Sequence, residues 1–67
     1  MIKKISLVKA KEVINNNGKI IKARYGSTYL VQELVIEKGN HFINGVYSYY
    51  STIGYITKEQ FRKLINL

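Results

Sequence analysis

His41 is the single imidazole of the chain, and it stands between Asn40 and Phe42 in a turn-rich stretch. Neither Cys nor Asp occurs, and Glu12, Glu33, Glu37 and Glu59 follow no metal-ligand spacing. The serines at 27, 48 and 51 have no neighbouring base of the kind that activates a hydroxyl. Gly26, Gly39, Gly45 and Gly54 form no phosphate-cradling loop. With no pattern for catalysis, metal or cofactor, the residues point to a binding protein rather than an enzyme.

Two other groups of residues have chemistry to offer. The first is cationic: eleven Lys and Arg against four Glu give a net charge of +7. Residues 1–24 hold Lys3, Lys4, Lys9, Lys11, Lys19, Lys22 and Arg24 against Glu12 alone. Heavy use of Ile, Lys, Asn and Tyr indicates an AT-rich source, which inflates lysine, yet the same bias favours Glu and Glu is scarce. A positive end on a small domain calls for an anionic partner, either nucleic acid or an acidic protein surface.

The second group is aromatic. VYSYYSTIGY, residues 46–55, carries four of the six tyrosines. Tyrosine fits a half-buried strand, with its hydroxyl reaching water. Rings beside cations also make a platform for single-stranded nucleic acid, each base stack being worth about 1–3 kcal/mol. Strand alternation expects Tyr47, Tyr49 and Tyr55 on one face with Ile53, and Tyr50 opposite with Val46 and Ile56. The candidate nucleic-acid residues are therefore Lys9, Lys11, Lys19, Lys22 and Arg24 for phosphates, with Tyr47 and Tyr49 for bases. The RNA-recognition pattern of alternating glycines and aromatics is absent, as is a helix-turn-helix, so such contact is mainly electrostatic.

The elements that position these residues follow from periodicity and caps. Residues 6–17 read as a helix with Ser6 as N-cap, Gly18 at C′ and a stripe of Leu7, Ala10, Val13 and Ile14. They also read as the first arm of a hairpin turned at Asn17-Gly18. Strands are expected at 19–25, 28–36 and 46–55, with a turn at Gly26-Ser27 between Tyr25 and Tyr29. Further turn signals lie at Lys38-Gly39-Asn40 and Asn44-Gly45, and a short strand at 2–5 is an added option. Thr57 and Gln60 spell a capping box, and Ile56 and Phe61 a hydrophobic staple, before a C-terminal helix striped by Phe61, Leu64 and Ile65. The fold class is α+β: one domain over 1–67, α-β-β-β-α, a three-stranded antiparallel sheet packed by two short helices on one face.

MIKKISLV begins like a signal peptide, but Lys9, Lys11 and Glu12 interrupt it. No run approaches the roughly 18 apolar residues of a membrane span. The expectation is a soluble, cytoplasmic protein with no membrane partner. At 67 residues without cysteine, packing is the sole source of stability unless copies associate, so a homo-oligomer is also an open reading.

The run SLVKAKEVINNNGKIIKARYGSTYLVQ, residues 6–32, has a helix ending at a glycine, then a basic strand leading to an aromatic, then a second strand. It resembles the opening of small phage-encoded accessory proteins, including a family that blocks Thoeris anti-phage signalling, in which the aromatic is usually Trp where Tyr25 stands. The resemblance implies a phage or mobile-element origin and hence the host bacterial cytoplasm. It transfers no ligand-binding motif. The basic face leaves open a second partner class, an acidic or nucleic-acid-bearing host complex, as for an anti-CRISPR or other host-defence inhibitor.

Overall fold

The computed structural model describes residues 2–24, 26–39 and 45–66. Element order is α1 (Leu7–Asn15), β1 (Lys19–Lys22), β2 (Thr28–Lys38), β3 (Val46–Thr57) and α2 (Lys58–Ile65). The fold is thus the expected α-β-β-β-α domain, with an antiparallel sheet in the order β1-β2-β3.

Residues 6–17 take the helical option. The Ser6 side chain accepts from the Lys9 amide at 3.2 Å and starts α1. Its end differs from the expected glycine cap, because Asn17 and not Gly18 adopts the left-handed backbone (φ 69°). The Gly18 amide then donates to the Val13 carbonyl at 2.8 Å and that of Asn17 to Ile14 at 3.0 Å, which closes the last turn. Gly18 is needed for close approach instead: a Cβ there would sit 2.6 Å from the Val13 carbonyl and 2.7 Å from that of Gln32.

α1 lays Ala10 and Val13 on the sheet, where they meet Ile5, Val31 and Ile56 in the buried core. Ile14, read as part of the same stripe, is exposed. α2 is capped as its sequence specifies. The Thr57 hydroxyl accepts from the Gln60 amide and the Gln60 side chain accepts from the Thr57 amide. Phe61 stacks on Tyr29 with ring centroids 4.0 Å apart and planes 9° from parallel, while Leu64 packs against the core.

β1 is shorter than the expected 19–25. Its pairing with β2 runs from Lys19–Gln32 to Lys22–Tyr29, after which the Ala23 amide reaches the Thr28 carbonyl. β2 and β3 each extend two residues past the expected end at 36 and 55. On the other side of the sheet, the N-terminal segment lies parallel to β3 through a single bridge, Lys4 to Tyr55. Ile5 donates to the Tyr55 carbonyl at 2.7 Å and Tyr55 to that of Lys3 at 2.9 Å.

One irregularity sets the faces. The β2–β3 register slips between Val31–Gly54 and Gln32–Thr52, leaving Ile53 as an extra residue on β3. Such a bulge puts two residues against one and breaks strict alternation along the bulged strand. Tyr47, Tyr49, Gly54 and Ile56 therefore lie on the helix side, and Tyr50 and Tyr55 on the open side. The expectation that Tyr55 joins Tyr47 and Tyr49 while Ile56 joins Tyr50 is corrected by this one inserted residue. The turn signals at Asn40 and Asn44, and those resting on His41 or Tyr25, lie outside the described residues.

Candidate nucleic-acid interface

The molecule divides into a body and a ribbon. Beyond Gln32 and Thr52, neither β1 nor the N-terminal segment reaches, and β2 and β3 continue as two strands closed by the Gly39 amide on the Gly45 carbonyl at 2.6 Å. The result is elongated, 44 × 25 × 15 Å.

Charge follows the same division. The body, residues 2–24, 26–32 and 53–66, holds ten Lys and Arg against Glu12 and Glu59, a balance of +8. The ribbon, 33–39 and 45–52, holds Lys38 against Glu33 and Glu37, or −1. All ten body cations are exposed.

Lys9 lines one hollow with Lys3, Lys4 and Ser6, and Glu33 and Ile53 form its sheet side. The Lys9 ammonium lies 3.6 Å from the Glu12 carboxylate in an exposed pair of small energetic weight. Lys11 and Lys19 flank a second, mostly apolar cleft of about 440 Å³ between the helices and β1, with Ile14, Ile20, Phe61 and Leu64 in its walls. Lys22 stands on the helix side opposite Tyr29, and Arg24 is exposed just past β1. The structure thus brings Lys9 together with Lys3 and Lys4, which the candidate set omitted although they belong to the same basic N-terminal run.

Tyr47 and Tyr49 sit apart from these cations, out on the ribbon. Their rings are 6.3 Å apart and 21° from parallel. Tyr47 donates its hydroxyl to Glu37 Oε2 at 2.7 Å and Tyr49 to Oε1 at 2.9 Å. The two hydroxyls hold the Glu37 carboxyl below its ordinary pKa, because both bonds favour the anion. The same bonds, with the carboxylate charge beside them, raise both tyrosines. The tyrosine pair is thus tied to a carboxylate.

The open side has a different chemistry. Lys19, Ile21, Leu30, Leu34, Ile36, Lys38, Tyr50 and Tyr55 point there, and Glu33 and Glu37 do not. The Lys19 ammonium lies over the Tyr50 ring, 4.1 Å from its centroid. The cation–ring pairing expected for Tyr47 and Tyr49 is thus present at Tyr50, a residue that alternation with an undetected bulge left in the background. Among the described residues no group of His, Cys, Asp and Glu is placed to hold a metal, and no helix is long and apolar enough to cross a membrane. Comparison with known proteins finds no matching family model, no similar curated protein and no similar solved structure.

Proposed function

We propose that this chain is a non-enzymatic binding protein whose basic body holds nucleic acid through its phosphates. The observation that supports this is the separation of charge: +8 on the body and −1 on the ribbon. Lys3, Lys4 and Lys9 share one hollow with Glu33, and Lys11, Lys19, Lys22 and Arg24 add exposed positive charge elsewhere on the body, Lys22 on the helix side and Lys19 on the open side. Lysine contacts to phosphates read no base sequence; they follow a backbone. The rings that could meet unpaired bases are Tyr50, beneath the Lys19 ammonium, and the pair Tyr47 and Tyr49.

The test is fluorescence anisotropy with labelled single-stranded DNA, duplex DNA and RNA at about 50 and 200 mM salt. Five phosphate contacts on a duplex give a slope of log K on log salt near −4.5. Submicromolar binding with such a slope supports the reading, and absence of binding at the lower salt overturns it.

A second reading has its own observation. The cleft between α1, α2 and β1 is apolar within and carries Lys11 at its margin, which suits an acidic, apolar protein segment. On that reading the chain is an inhibitor that captures a host protein, consistent with a phage or mobile-element origin. A pull-down from host extract with Phe61→Glu as the silent control separates it from the first.

A further inference from the structure

We propose that the outer edge of β3, residues 46–52, pairs antiparallel with the same edge of a second copy of this chain. The proposal rests on the ribbon and not on the basic body. The ribbon's two strands, 33–38 and 46–52, have no strand beyond either edge among the described residues, because β1 pairs with β2 only over Tyr29–Gln32 and the N-terminal segment meets β3 only at Tyr55. An isolated two-stranded hairpin is marginal in water.

The two edges are not alike. Proteins guard exposed edges with charges, prolines, bulges or short strands. The β2 edge has Glu33, Glu37 and Lys38 within six residues. The β3 edge, VYSYYST, has no charge, no Pro and no Gly over seven residues, and its one bulge lies just beyond, at Ile53. Uncharged, aromatic and β-branched segments of this length are the ones that add to an identical strand. The apolar side chains around it are exposed as well, Val46 at 70% and Ile36 at 64%.

Charge selects the occupant and its direction. The strand itself carries no charged residue, and the Glu37 carboxylate on Tyr47 and Tyr49 and the Lys19 ammonium on Tyr50 are of opposite sign, so two such edges meet without net like-charge repulsion. An antiparallel two-fold arrangement sends the +8 bodies to opposite ends, well beyond the roughly 8–10 Å over which salt screens them. A parallel arrangement would set the bodies side by side. The contact is isologous, so the residue on the two-fold axis meets its own counterpart and the residues on either side pair reciprocally. A seven-residue edge is roughly 23 Å long at about 3.3 Å per residue, short of a tight interface, so the pair forms reversibly as concentration rises.

Sedimentation equilibrium from micromolar to millimolar chain is the test. The expected result is a mass that climbs from 7.8 kDa toward twice that value, with Ser48→Lys weakening the association at least tenfold while circular dichroism stays unchanged. Because the chain has no cysteine, the edge can also be read by oxidation. Single Cys variants at Ser48, Tyr49 and Tyr50 are expected to yield a covalent dimer for at least one position, as directly opposed Cα atoms lie about 4.5–5.5 Å apart, within disulfide range. Ile36→Cys, on the guarded strand, is expected to yield no covalent dimer. A mass fixed at 7.8 kDa throughout overturns the proposal and leaves the edge to an extended peptide of another protein. A dimer indifferent to Ser48→Lys, or cross-linked as readily through Ile36→Cys, overturns it too. None of these readouts involves nucleic acid, so failure here and failure of phosphate binding remain separate results.

Discussion

Ile5 rests its side chain directly on the backbone of Gly54. A Cβ at Gly54 would meet Ile5 Cγ1 and Cδ1 and the Lys3 carbonyl. Ile5 is 5% exposed and its amide is bonded to the Tyr55 carbonyl, so neither partner can give way without breaking the N-terminal bridge. Gly54→Ala is expected to destabilise the domain by about 1–3 kcal/mol through overpacking. Urea unfolding followed by circular dichroism gives the shift in midpoint.

The capping box of α2 reaches further than its own helix. Besides accepting from the Thr57 amide, Gln60 donates through Nε2 to the Ile5 carbonyl at 3.0 Å. Thr57→Ala is expected to cost about 0.5–2 kcal/mol as a lost N-cap. Gln60→Ala loses the cap bond and the tie to Ile5 together, and it should be at least as damaging. In a Thr57→Ala/Gln60→Ala double-mutant cycle in the same unfolding assay, Gln60→Ala should remain costly in the Thr57→Ala background, because the bond to the Ile5 carbonyl is still lost.

The Glu37–tyrosine cluster makes ribbon order depend on pH at both ends of the range. The folded carboxyl is depressed, so its contribution is present above the unfolded glutamate pKa and fades as pH falls through the folded value, in the acid range. The folded tyrosines are raised, so theirs is complete below the unfolded tyrosine pKa and fades as pH rises through the higher folded values, in the alkaline range. Phenolate absorbance should show two tyrosines ionising late, and Glu37→Gln should bring both back toward ordinary tyrosine behaviour. Late ionisation persisting in Glu37→Gln would mean that the carboxylate is not the cause.

If the body holds phosphates, its lysines should control salt dependence. Lys3, Lys4 and Lys9 changed together to Gln are expected to flatten the log–log slope by about 2 to 3. Lys38→Gln, on the ribbon, should leave the slope alone. Anisotropy titrations at several salt concentrations decide this, and the triple variant should melt like the parent because the Lys9–Glu12 ion pair that it removes is exposed.

Much of the fold was legible along the chain. Ser6 and the Thr57–Gln60 box are local signals, each satisfied by atoms within a few residues, and the apolar periodicity between them fixes element type and order. The positive N-terminal run is likewise a property of composition. What the chain did not disclose depends on partners distant in sequence. The close approach that requires Gly18 involves the Gln32 carbonyl, a partner on another strand that no local cap rule names. How far β1 extends depends on where β2 stops meeting it. Above all, the faces of the tyrosines depend on one unpaired residue, Ile53: alternation is a rule of regular strands, and a bulge exists only relative to the strand alongside. That single slip separates Tyr55 from Tyr49, puts Tyr50 under Lys19, and leaves Tyr47 and Tyr49 to Glu37.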